Sequence, residues 1–187
     1  MTSKFKSIRG FTLIETLLAV LLLTTAIAGP LTIASRGLNS ALVAKDQITA
    51  FYLAQDAVEH IRFVRDSACL AATPDATGCP AASWLSTLLA KCMPSGGNVG
   101  CYIDSIQNTV EQCTGGACPA LKYDASNKFF SYTAIGAVET PQNFVRTVTL
   151  TTLTADEAVV TVSVSWRNLA GVTHPPIVVR ENIFRWQ

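Results

Sequence analysis

Apolar and polar positions alternate with different periods in different parts of the chain. From Thr16 to Ser35 there is no charged residue, and the run Leu17-Leu18-Ala19-Val20-Leu21-Leu22-Leu23 continues in the same vein to Ala34. A helix of that length and apolarity is long enough to cross a bilayer. Gly29-Pro30 interrupts the run near its end, where a proline removes one helical hydrogen bond and favours a kink. From Leu38 the pattern turns amphipathic. Leu38, Leu42, Phe51, Ala54, Val58 and Ile61 fall near one stripe of a 3.6-residue period, with Lys45, Asp46, Gln47, Asp56, Glu59 and Arg62 away from it. One helix over 11–66 is therefore expected, on the order of 80 Å long at 1.5 Å per residue. Such a helix is stable only if a domain packs on its second half.

Strand periods appear after residue 128. Phe129–Val138 is aromatic and β-branched. Phe144–Leu153 alternates, with Val148 and Leu150 on one face and Val145, Thr147, Thr149 and Thr151 on the other. Val160, Val162, Val164 and Trp166 alternate with polar residues as a half-buried strand does. Ile177–Phe184 follows Pro175-Pro176, and Asp156-Glu157 and Asn168–Gly171 supply turns. Four strands at short spacing predict an antiparallel meander over 129–187, its apolar face on the helix. The fold class is α+β.

Residues 67–128 lack a period. Thr73-Pro74-Asp75, Gly78-Cys79-Pro80, Met93-Pro94-Ser95-Gly96-Gly97 and Cys118-Pro119 mark turns. One short helix is expected at Ala81–Cys92, where Trp84, Leu85, Leu88, Leu89 and Cys92 share a face. All six cysteines, Cys69, Cys79, Cys92, Cys101, Cys113 and Cys118, lie in this region. An even, clustered set beyond a membrane-length helix points to disulfides in an exported domain. Zinc fits poorly, because there is no C-x-x-C pair and His60 and His174 lie far off. The pairing is open among fifteen possibilities. Cys113 and Cys118 would close a tight loop if they pair.

Charge and chemistry narrow the function further. The chain has 187 residues and a formal charge of +1. Lys4, Lys6 and Arg9 precede Gly10, and no basic cluster follows, so nucleic acid is not an expected partner. Loss of residues 1–10 would carry the net charge to about −2. No phosphate loop, H-E-x-x-H or G-x-S-x-G is present. His60 and His174 read as surface histidines. Asp124-Ala125-Ser126-Asn127 offers oxygen ligands to calcium, but a turn capped by its own side chains explains it better. Asp56, Glu59, Arg62, Arg65 and Asp66 read as a solvated face with weak ion pairs rather than as a contact surface for neighbouring subunits. No enzymatic activity and no cofactor are expected. The anomaly is Glu15, a carboxylate at the mouth of the apolar run, which costs a few kcal/mol in lipid unless paired.

Gly10-Phe11-Thr12-Leu13-Ile14-Glu15, behind a basic leader and ahead of an apolar helix, resembles the N-terminus of bacterial type IV prepilins and of type II secretion pseudopilins. The resemblance implies a pilin-like fold: a long kinked N-terminal helix packed on a C-terminal antiparallel sheet. It implies a leader, residues 1–10, cut by a prepilin peptidase between Gly10 and Phe11, with N-methylation of Phe11. It implies that Glu15 pairs with the N-terminal ammonium of a neighbouring subunit during assembly. The partners implied are that peptidase, other pilin subunits and the inner-membrane assembly platform. The location implied is the bacterial cytoplasmic membrane, single-pass, with the C-terminal domain outside the cytoplasm, and then a fibre. Some pseudopilins bind calcium near their sheet. The strand ending Val164-Ser165-Trp166 and a last strand ending in Trp186 resemble, more loosely, minor pilins of the PilV type. The expected function is a minor pilin or pilin-like subunit of a type IV pilus. The alternatives are a type II secretion or DNA-uptake pseudopilin. Two readings of another class remain. Ala26-Ile27-Ala28 fits an ordinary signal peptidase site that would release a disulfide-stapled binding domain beginning near Gly29. A single-pass receptor with an uncut leader is the other. Glu15 and the helix beyond Leu38 speak against the released domain.

Overall fold

The computed structural model describes residues 10–72, 79–80, 84–133, 136–168 and 171–185. The leader before Gly10, the turn at Thr73-Pro74-Asp75, the start of the Ala81–Cys92 segment, the middle of the Asn168–Gly171 turn and Trp186 lie outside the described residues. Helix α1 runs Leu13–Ala71, through Gly29-Pro30 and five residues beyond the expected end. It passes through the boundary between two compact units, residues up to Ala44 and residues from Lys45.

In the first unit every residue from Gly10 to Leu42 is exposed. Its most apolar 18-residue window has a mean hydropathy of 2.2 and is 0% buried. By length and composition α1 is able to span a membrane. Several of its hydroxyls are satisfied without water. Thr16 donates to the Leu13 carbonyl at 2.8 Å, Thr25 to Leu21 at 2.9 Å and Thr32 to Ala28 at 2.8 Å. These back-bonds let a polar side chain sit in an apolar medium without an unpaired donor.

The second unit joins the rest of α1 to two sheets. Strands β6 (Val145–Thr152), β7 (Glu157–Ser165) and β8 (Ile177–Phe184) form the expected meander, with Val148 opposite Val162 and Val162 opposite Val179. Two strands from the region read as loop extend it. These are β1 (Cys101–Asp104) and β2 (Thr109–Gln112), giving the order β2-β1-β6-β7-β8. Four residues are too few to show a period, so these strands leave no sequence signal. Gly100 lets β1 reach β6: its φ is +133°, and a Cβ there would collide with the Val148 carbonyl. The Phe129–Val138 segment departs from the expected meander. Strands β4 (Phe129–Ser131) and β5 (Val138–Glu139) flank β3 (Lys122–Asp124) in a separate three-stranded sheet.

The α1 stripe that reaches the core keeps Ala54, Val58 and Ile61 of the expected set and drops its larger members. Ala50, Leu53, Ala54, Ala57, Val58 and Ile61 are buried, whereas Phe51 is exposed. Leu38 and Leu42 lie in the first unit and are exposed. The buried α1 residues share one cluster with Ile103, Val148, Leu150, Val160, Val162 and Ile183 of the sheet. Asp46, four residues before Ala50, falls on the same stripe and is buried, against expectation. Helix α2 is Ser86–Cys92, shorter than expected; Trp84, Leu85, Leu88 and Cys92 are buried, with Leu89 partly so. The cysteines pair with sequence neighbours as Cys69–Cys79, Cys92–Cys101 and Cys113–Cys118. The second bridge ties the end of α2 to the first residue of β1.

Three charged side chains are built into this packing. Arg146 shares the inward face of β6 with Val148 and Leu150 and is 1% exposed. It donates to the Leu53 carbonyl and to Asp56 Oδ2, each at 2.7 Å, and to the Ile103 carbonyl. Asp104 accepts from Ser131 Oγ at 2.6 Å and from the amides of Tyr132, Ile106 and Gln107. It thereby joins the two sheets. Arg62 pairs with Glu59 at 2.7 Å, as the i, i+3 spacing suggests, and also reaches Glu181 on β8.

The geometry sets an order of stability. The Asp56 side chain is 42% exposed and the Arg146 side chain 2%. Removing Asp56 strands a buried guanidinium, whereas removing Arg146 leaves a carboxylate that water can reach. Asp56→Ala should cost about 3 kcal/mol and Arg146→Met about 1–2 kcal/mol. Denaturant unfolding of the full chain in detergent measures both; the reverse order would mean the carbonyls alone hold the guanidinium.

Candidate functional site

The residues singled out at the head of the chain lie together in the first unit. Thr12 caps α1: its carbonyl accepts from the amides of Glu15 and Thr16 at 3.1 and 3.2 Å, and its hydroxyl accepts from the Glu15 amide at 3.4 Å. Thr12-x-x-Glu15 is thus a capping pattern, legible in the sequence but hidden behind the longer motif. Glu15 lies in the first turn, where the positive end of the helix favours a carboxylate. It makes no ion pair among the described residues and is exposed. Phe11 is 81% exposed. A Cβ added to Gly10 would meet nothing within 4 Å. The fold therefore places no steric demand for glycine at residue 10; any such demand comes from whatever binds this segment. The six cysteines predicted as a set are brought into three separate bridges rather than one site.

The second unit holds polar groups that sequence reasoning misplaced. His60 is buried rather than on the surface, and its Nε2 has no partner among the described residues. Burial pushes its imidazolium below the ordinary histidine range, with Arg146 acting the same way and Asp56 and Asp104 opposing. Asp104 is buried too, which by itself favours the neutral acid. Four hydrogen bonds outweigh that and hold its carboxyl below the usual range. His174 is half-buried, not exposed, and stacks on Trp166 with ring centres 5.7 Å apart. The i+4 spacing of Asp56 and His60 was the available signal for their electrostatic interaction; nothing local marks His174.

His60 lines an open cleft of about 510 Å³ between α1, α2 and β2. There Lys91 bonds Glu111 at 3.0 Å and the Val110 carbonyl at 2.6 Å. Among the described residues no three His, Cys, Asp or Glu side chains gather as metal ligands. Asp124 caps its own turn: Oδ1 accepts from the amides of Ser126 and Asn127, and Oδ2 from the Asn127 side chain. That is the turn reading of Asp124–Asn127. The described geometry offers one chemistry at the head segment, an exposed carboxylate on a bare apolar helix, and a set of buried polar contacts in the second unit. Comparison with protein-family models, curated proteins and solved structures found no match to this chain.

The His60 environment fixes the sign of a pH effect. An unfolded histidine titrates near 6.5 and the folded one lower, so between the two values the unfolded chain binds more protons. The stability that comes from neutral His60 is complete above about pH 6.5 and is lost as pH falls below it. Asp46 works with the opposite sign, because burial raises its carboxyl, with Lys45 and His174 opposing. The melting temperature of the second unit should therefore fall between about pH 7.5 and about pH 5.5, and His60→Leu should flatten that slope. An unchanged slope in the variant would place the titration elsewhere.

Proposed function

We propose that the chain is a minor pilin or pilin-like subunit of a type IV pilus. It is cut by a prepilin peptidase between Gly10 and Phe11, N-methylated on Phe11, held in the bacterial cytoplasmic membrane by the first half of α1, and assembled into a fibre by helix packing. One observation carries this reading. Gly10-Phe11-Thr12-Leu13-Ile14-Glu15 heads a single 59-residue helix whose most apolar window is wholly unburied. Hydrophobic surface of that extent needs lipid or other helices around it.

Glu15 acts in assembly. Cleavage turns residue 11 into a chain end bearing an ammonium, and an unpaired carboxylate on a neighbouring apolar helix is its natural partner. In a low-dielectric setting that attraction far exceeds its value in water. The small exposed side chain environment at Gly10 suits a protease that must draw the backbone close. The second half of α1 and its disulfide-stapled sheets form the part displayed outside the cytoplasm, where disulfides persist.

Intact mass and N-terminal sequence of the membrane-extracted protein test the processing step. Wild type should begin at N-methylated Phe11, and Gly10→Leu should keep its leader; cleavage of that variant, or a chain beginning at Gly29, contradicts the peptidase assignment. Glu15→Val should insert and be processed normally yet be absent from sheared fibres. Normal incorporation of that variant would remove the charge pair from the mechanism.

A further inference from the structure

A cleft of about 320 Å³ in the second unit is used neither by the packing nor by the head segment. Asp46 forms part of its α1 wall. This residue is 8% exposed and makes no hydrogen bond or ion pair among the described residues. A carboxylate with no hydrogen-bond donor of its own gains from an arriving cationic N–H group. Thr140 Oγ1 lines the same cleft and is a buried atom with no partner among the described residues. Half of the remaining lining is aromatic, with Lys45, Thr49 and Gln142 making up the rest. Tyr123 lies 5.0 Å from Phe130 between ring centres, and Phe130 meets Phe144 edge-on at 5.7 Å. Lys45, at the rim, is exposed.

Each of these features selects the same chemistry. A carboxylate without a donor asks for N–H groups carrying positive charge. Aromatic faces attract cations through their quadrupole, by about 0.5–2 kcal/mol each. A lone hydroxyl accepts one further N–H. No positively charged side chain points to an anionic ligand except Lys45, which faces solvent. The volume lies at the small end of ligand pockets, enough for a head group the size of one side chain.

We propose that this cleft binds a primary ammonium or guanidinium group, with Asp46 as its counter-ion, Thr140 as an additional hydrogen-bond partner and Tyr123, Phe130 and Phe144 as its aromatic wall. The group comes either from a free organic amine or from a lysine or arginine side chain of a second copy of this chain. The site stands independently of the fibre reading, because every residue in it belongs to the second unit.

Trp166 stacks on Phe144 with ring centres 6.3 Å apart and so reports on the wall. The full chain in detergent micelles, at fixed ionic strength, is titrated with n-butylammonium chloride and with N-acetyl-arginine amide, followed by tryptophan fluorescence and calorimetry. Saturable binding in the millimolar range is expected, weakened about tenfold or more in Asp46→Asn and in Phe130→Ala, with uncharged n-butanol inert. Thr140→Val serves as a second probe should Asp46→Asn lose its cooperative unfolding. Sedimentation separates the two sources. If a second copy supplies the cation, the wild type self-associates and n-butylammonium disperses it; if a free amine does, binding leaves the mass unchanged. A response that never saturates, equal binding of n-butanol, or undiminished binding by every variant overturns the proposal.

Discussion

The second unit depends on the burial of one α1 stripe in a common core with the sheet. Ala50, Ala54 and Ala57 are fully buried in one cluster with Val148, Leu150, Val160 and Val162. Larger residues on that stripe would lift the helix and open voids that a close-packed interior does not tolerate. The large apolar residues Phe51 and Phe63 are instead left half outside. The same contact makes a helix of this length tenable, because tertiary packing rather than propensity supplies most helical stability.

The same core holds a polar network that ties α1 to the sheet. Where α1, β1 and β6 meet, the guanidinium of Arg146 spans three elements by donating to the Leu53 and Ile103 carbonyls and to Asp56. Asp104 does the equivalent for the two sheets through Ser131 and Tyr132. Apolar packing alone tolerates sliding; donors aimed at particular carbonyls do not. Short strands need further help. The four-residue β1 is held by the Cys92–Cys101 bridge at one end and the Asp104 network at the other.

The head segment obeys different physics. Its chemistry is local: a capping threonine, a carboxylate in the first turn, and a glycine that nothing in the chain crowds. Nothing in the second unit is required to build it, which suits a segment read by other molecules. The proposed fibre role and the proposed cation cleft therefore belong to different parts of the chain and stand or fall separately.

Local patterns were enough to place some features. The apolar run, the helix down to Asp66, and the strands β6, β7 and β8 all follow from contiguous residues whose period is long enough to read. Other features were settled by contacts between distant residues. Strands β1, β2 and β3 are too short to carry a period and exist because β6, β4 and the disulfides hold them. The cysteine pairing, open among the sequence possibilities, was closed by the positions of α2 and β1. Polarity as a guide to exposure puts Asp46 and His60 on the surface and gives no sign that Arg146 is buried. All three sit in phase with neighbouring buried positions, and they point inward because the backbone's period, not the side chain's polarity, decides which way a residue faces.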